Sequence, residues 1–380
     1  MSVGVGVVVC LEVPVGSEFG IDYEAFRTAQ KFQGVKLIPS GLHFVFYASN
    51  GEHDNGNGIR QGFFVDIQPN DVVIRVWSAD TEELVPMKSE VDAANLTRAV
   101  HNFQLDGNLG AYPQKHAKVW HRLSKYITHS VLEKCGLAIG STITPGDPDA
   151  LSSDSAEALK PYFPDTAQTA RFTTLKKTTT QLGAHDLTMY HLDSSEHLEG
   201  LLRTQYGCDW QALLGELQLS FVLFLLISSL DALNQWKQFV WLLCSCEHAV
   251  TTRPDLFIAF LQLIHVHLEQ VGADFFQDEV ANENFIKASL ASLFEILNDD
   301  TLDSRLLQRA TKLKIFLKDR FQLQFDVMGT YCFGDDESAP AVVLPDELPS
   351  FVFTQDTADT DDSNRHVAQE LFARTTASME

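Results

Sequence analysis

The sequence predicts an α+β protein of two domains, a β-rich N-terminal domain of sandwich or barrel type with flanking helices and a C-terminal all-α helical array. Three observations predict it. Apolar residues recur with period two up to about residue 80 and with a period near 3.6 from Ser89 onward. Between the two halves, residues 141–181 lose apolar periodicity altogether. The 380 residues suffice for two or three cores at a prior of about 150 residues each. The resulting division is 1–140, a flexible linker at 141–181, a helical domain at 182–325 and an acidic, largely disordered tail at 326–380.

The opening run Met1 to Leu11 is rich in β-branched residues and has no positive flank, since the first basic residue is Arg27. It is expected to be a strand rather than a signal peptide. Leu42, Phe44 and Phe46 alternate with His43, Val45 and Tyr47, and Phe63, Val65 and Ile67 line one face of a second run. Val72, Ile74 and Val76 line a third run that ends at Trp77. Pro39-Ser40-Gly41, Asn55-Gly56-Asn57-Gly58 and Pro69-Asn70-Asp71 supply the turns between them. Helices near 89–104 and 114–134 close this domain, the second carrying Val119, Leu123, Tyr126 and Ile127.

Asp193 followed by Glu196 has the spacing of a capping box, and a helix from Trp210 carries apolar residues on every face. Such a helix needs partner helices all round. Its strongest run, Phe221 to Ile227, falls short of the roughly 20 residues that span a bilayer, so no membrane is expected. Further helices are predicted near 231–247, 254–270, 283–297 and 301–321. The last places Leu302, Leu306, Leu313, Leu317 and Phe321 on one stripe, with six cations largely off it. Residues 331–380 hold eleven acidic side chains against two arginines, a composition that packs no core of its own. Within them Pro340-Ala341-Val342-Val343-Leu344-Pro345 is a β-prone island suited to adding a strand to a partner's sheet.

Charge and chemistry narrow the function. With 51 acidic and 28 basic side chains the formal charge is −23, which repels phosphate backbones, so direct sequence-specific nucleic-acid binding is not expected. Six scattered cysteines read as reduced thiols of the cytosol or nucleus. In Gly16-Ser17-Glu18-Phe19-Gly20 the serine directly follows the first glycine, which breaks the nucleophile-elbow spacing and leaves a turn. His265 and His267, like Cys244 and Cys246, sit two residues apart in predicted helices, with side chains about 200° apart. They make no common metal site. His185, His191 and His197 recur every six residues and read as solvated or capping groups. No catalytic, metal or cofactor site is therefore expected. The serine cluster Ser152, Ser153 and Ser155 beside Asp154 and Glu157 is a candidate for phosphorylation.

Longer blocks carry a resemblance. Pro14 to Tyr23, then Lys31-Phe32-Gln33-Gly34-Val35-Lys36-Leu37-Ile38-Pro39-Ser40-Gly41-Leu42-His43-Phe44, resemble the N-terminal hallmarks of the AAR-two splicing-factor family. Gly62-Phe63-Phe64, Trp77, Tyr112-Pro113 and Trp120 follow in order. Leu214-Gly215-Glu216-Leu217-Gln218, Phe221-Val222, Trp236-Lys237 and Ala273-Asp274-Phe275-Phe276 continue the likeness through the second domain. The resemblance implies a non-enzymatic assembly factor of the U-five spliceosomal particle with a VHS-like helical domain. It further implies binding to the C-terminal region of the particle's large central protein (the Prp-eight type), including RNase-H-like and MPN-like domains, and delayed engagement of the helicase. Residence in cytoplasm and nucleus is the matching expectation. In the tail only Ala341-Val342-Val343-Leu344-Pro345 resembles the family's segment. From the residues alone, a trafficking adaptor for peptides or lipid headgroups and a hydrolase with an unrecognised site stay open as alternatives.

Overall fold

The computed structural model describes residues 4–48, 58–146, 168–175, 193–272, 285–299 and 301–325. Their strands are β1 (Val5–Leu11), β2 (Glu18–Ile21), β3 (Glu24–Arg27), β4 (Gly34–Pro39), β5 (Gly41–Ala48), β6 (Gln61–Ile67), β7 (Val72–Ser78), β8 (Glu83–Pro86) and β9 (Gly110–Ala111). One sheet has the order β8-β7-β1-β4-β9, with β1 antiparallel to β4 and parallel to β7. The other has the order β3-β2-β5-β6 and is antiparallel throughout. A single apolar cluster draws on both, with Val8, Cys10 and Val35 from the first and Phe19, Val45, Tyr47, Phe63 and Val65 from the second.

β5 is buried on both faces. Val45 and Tyr47 enter the cluster, while Phe44 and Phe46 point the other way and need room that only glycine leaves. A Cβ at Gly20 would come within 2.1 Å of the Phe46 ring, and one at Gly62 within 2.7 Å of the Phe44 ring. The bare backbone of β2 and β6 is thus a seat for two aromatic rings.

The face of β7 is corrected. Arg75 and Trp77, rather than Val72, Ile74 and Val76, are its buried residues. Because side chains alternate along a strand, one large residue settles the register for all. Trp77 supplies the largest apolar area and packs edge-on against Tyr47, with ring centroids 5.8 Å apart. Arg75 follows on the same face, its guanidinium 4.6 Å from the Phe63 ring centre and donating to the Gly140 carbonyl at 2.9 Å.

The helices of this region are α1 (Glu90–His101), α2 (Ala117–Ser124) and α3 (His129–Lys134). α1 opens on Ser89, whose hydroxyl accepts from Asp92 N, and Phe103 beyond its end takes a left-handed φ of 58°. The single helix expected over 114–134 is corrected to a short 3₁₀ turn at Gln114–His116 followed by α2 and α3. Thr128 breaks it: its backbone is extended and its hydroxyl caps α3 at Val131 N. Just before it, Tyr126 N donates to the Gln218 side chain at 2.7 Å instead of to a helical carbonyl.

The linker expected at 141–181 is corrected at both ends. Ile143 bridges to Gly62 on one side and to Gln168 on the other, and Thr144 and Thr173 are buried. Residues 147–167 and 176–192, with Ser152, Ser153 and Ser155, lie outside the described residues.

The remaining helices are α4 (Ser195–Gln205), α5 (Trp210–Ile227), α6 (Leu230–Cys244), α7 (Glu247–Thr252), α8 (Pro254–Gln270), α9 (Phe285–Ile296) and α10 (Ser304–Phe321). α5 is long and apolar enough to cross a membrane, with a mean hydropathy of 1.7, yet 83% of it is buried inside the protein. The helix expected over 231–247 ends earlier, at Cys244, and α7 starts separately. Asp193 explains the break and corrects the capping box. Its carboxylate accepts from Ser195 N and also from Glu247 N and His248 N, so one acid caps two helix starts.

The described residues form two compact units. One comprises residues up to Phe172 together with Gln218–Leu233, and the other comprises Thr173–Leu217 and the residues from Asn234 onward. The division falls within α5, so Gln218–Leu233 cluster with the sheets' unit and not with the helical domain in which the sequence placed them.

Candidate protein-interaction surface

The residues that carry the family resemblance are mostly interior. Asp22 has a left-handed φ of 57° and is buried. Its carboxylate accepts from Phe44 N at 3.0 Å, from His43 Nδ1 at 2.7 Å and from the Tyr112 hydroxyl at 2.6 Å. His43 Nε2 lies 2.7 Å from the Pro39 carbonyl. Both ring nitrogens therefore face acceptors, and both must donate, which only imidazolium does. Burial alone would lower the pKa of His43, but the hydrogen bond and charge of Asp22 outweigh it and hold the ring above its ordinary value. With each nitrogen engaged and the group buried, His43 is a structural cation and not a base open to substrate.

Glu18 and Arg60 form a second tie, bidentate at 2.8 and 2.5 Å, and Arg60 also lies over the Phe46 ring. Among the described residues Arg75 pairs with no carboxylate, and burial lowers its pKa. Burial likewise pushes the Cys10 thiol up to about 12, so it remains protonated and unreactive.

In the helical unit Glu216 is fully buried on α5. It accepts from Thr173 N at 2.6 Å, Thr173 Oγ1 at 2.9 Å and the Tyr206 hydroxyl at 2.8 Å, while Gln235 donates to the Thr173 carbonyl. Gln218, two residues on, belongs to the other unit and is held there by Arg122 and Tyr126. His267 is fully buried, and its Nδ1 accepts from Trp236 Nε1 at 3.0 Å. His265 instead stacks on Phe316, with centroids 4.3 Å apart, so the two histidines stand on different sides of α8. Sequence reasoning named Asp22, His43, Tyr112 and Glu216 only as parts of longer blocks; that they converge in pairs and triads appears in three dimensions alone.

The exposed chemistry is of a different kind. Large apolar side chains stand out singly at Val15, Leu37, Val91, Phe103 and Ile315. The sheet edges are short or guarded: β3 has four residues with Glu24 and Arg27 at its ends, β8 ends on Pro86, and β9 has two residues. β6, the longest edge, is met by the Ile143 bridge. Among the described residues no group of three His, Cys, Asp or Glu side chains is arranged to hold a metal.

Comparison with known proteins decides the family. The AAR2 N-terminal domain model matches residues 4–136 and the AAR2 C-terminal repeat region matches residues 171–326. The chain belongs to the AAR2 family. The human Protein AAR2 homolog is 32% identical over 373 residues, covering 90% of this chain and 93% of the relative. The mouse homolog is 31% identical over 378 residues, with 91% and 94% covered. That of Caenorhabditis elegans is 25% identical over 342 residues, with 83% and 93% covered. Membership places the chain among splicing-related assembly factors. The tail segment Ala341, Val342, Val343 and Leu344, and the block Ala273 to Phe276, lie outside the described residues.

Proposed function

We propose that this AAR2-family chain is a non-enzymatic assembly factor that binds the C-terminal region of the large central U-five protein, with its RNase-H-like and MPN-like domains. By occupying that region it delays helicase and RNA engagement while the particle matures in cytoplasm and nucleus. The observation that carries the reading is the family match to both parts of the chain, residues 4–136 and 171–326. Electrostatics supports it, because a chain of formal charge −23 suits a basic surface that RNA later claims. The guarded edges of its own sheets also favour sending the strand-forming segment Ala341 to Leu344 to a partner's sheet. The helical unit is read as VHS-like on the same family likeness.

The test is a pull-down from nuclear extract with the full chain, followed by identification of the largest co-purifying protein. Recovery of the central U-five protein supports the reading; recovery of membrane-trafficking components instead would sink it. With the purified partner region, Val342→Pro is expected to weaken binding about tenfold, or ~1.4 kcal/mol, because proline removes a ladder donor. Unchanged affinity would remove the tail strand from the mechanism.

A further inference from the structure

α10 concentrates positive charge in a strongly negative chain. It carries Arg305, Arg309, Lys312, Lys314, Lys318 and Arg320 against Asp319 alone. Its inner face, Leu306, Ala310, Leu313, Leu317 and Phe321, is buried. Four of the six cations are engaged by the unit itself. Arg305 pairs with Asp303 at 2.7 Å and Asp255 at 3.2 Å, and Arg309 lies within 3.1 Å of the Gln262 side-chain amide. Lys314 reaches Asn298 and covers the Phe294 ring, and Arg320 donates to the Val271 carbonyl at 2.7 Å. Lys312 and Lys318 are exposed and have no acidic partner among the described residues. Between them, three residues from each, stands Ile315, 55% exposed. A solvent-facing isoleucine flanked by two unused lysines, with Asp319 one turn beyond it, is a small apolar seat whose rim carries a net positive charge.

We propose that this ridge is the docking site of the chain's own tail, with Asp335, Asp336 and Glu337 against Lys312 and Lys318 and the apolar run Ala341 to Leu344 over Ile315. Two features select this occupant. Charge is complementary, since residues 331–380 hold eleven acids and two arginines. The tether also reaches: about 13 residues separate the end of α10 from Asp335, which spans up to ~43 Å when extended, whereas the helix is ~27 Å long. Covalent linkage makes docking intramolecular, so weak contacts suffice. Self-docking goes beyond the partner reading and is a property of the free chain. Where the same segment also serves a partner, docked and deployed states compete.

Hydrogen exchange on the free full-length chain, read by mass spectrometry at low salt, tests this without any partner. Amides of residues 341–344 are expected to exchange about three- to fivefold faster in the Lys312→Glu, Lys318→Glu double variant than in the parent. Converting Asp335, Asp336 and Glu337 to lysine should produce the same rise, and combining both sets should restore slow exchange. Equal rates in the parent and in both single-cluster variants would overturn the proposal. So would protection that grows with protein concentration, which would assign the ridge to a second copy. Unchanged circular dichroism confirms that these surface variants fold. Because no partner is present, failure here leaves the pull-down result untouched.

Discussion

Two buried histidines, His43 in the sheet unit and His267 in the helical unit, are handled in opposite ways. In the sheet unit His43 faces Asp22 on one side and a carbonyl on the other, and is held as a cation. In the helical unit burial drives the pKa of His267 well below the ordinary value, and its Nδ1 accepts a hydrogen bond from the Trp236 indole N–H, so that nitrogen carries no proton and the ring is neutral. The difference lies in the supply of backbone and carboxylate acceptors. Strand ends and turns around Asp22 and Pro39 leave unspent carbonyls, whereas the interior of a helix array has used its own, and a buried ring there meets side chains instead.

The largest effect that would sharpen this contrast is in the helical unit. Trp236→Ala should cost ~3–5 kcal/mol, by cavity formation and by stranding His267 Nδ1, read as a fall in urea midpoint. A loss below ~1 kcal/mol would mean that Trp236 does not organise that interior. Next, Asp22→Asn should cost ~1.5–3 kcal/mol, because it removes a charged acceptor from three buried donors. If the loss instead matched that of an exposed aspartate, the triad would be decorative.

A smaller and more diagnostic effect is pH dependence. The folded pKa of His43 is raised, so its stabilisation is complete below its unfolded value of about 6.5 and is lost as pH rises through the folded value. The folded pKa of His267 is depressed, so its contribution is complete above about 6.5 and is lost as pH falls through the folded value. Urea melts at several pH values, followed by probes in each unit, should therefore move in opposite directions. In Asp22→Asn the sheet unit's preference for low pH should flatten. Parallel shifts in both units would break the comparison. The smallest expected change is Arg60→Lys, which gives up the bidentate fork on Glu18 for ~1 kcal/mol or less in the same assay.

Much of this architecture was legible in the sequence because it rests on local pattern. The period-two runs became β5 and β6, and the helix expected at 254–270 became α8 with those same bounds, started by Pro254 at its first turn. Where pattern misled, a competing interaction had won. Apolar alternation alone put Val72, Ile74 and Val76 inside β7, since it could not register that Arg75 would spend its charge on a ring face and a carbonyl. Two helix breaks came from side chains distant in sequence or from a cap, Gln218 and Thr128 in one case and Asp193 in the other. The candidate surface was partly legible too: the six cations of α10 were plain in the sequence, but which of them the fold had already used was not.

Composition and periodicity by themselves determined the two-part α+β plan, the apolar character of α5 and the strong negative charge. These depend on residue type and short-range spacing, which the chain carries before it folds. Tertiary structure alone decided which face of β7 turned inward, that Gln218–Leu233 would cluster with the sheets, and that buried His43 would be charged and buried His267 neutral. Each of those outcomes depends on partners brought together from far apart, and a buried polar group takes its protonation from whatever acceptor or donor the fold sets against it.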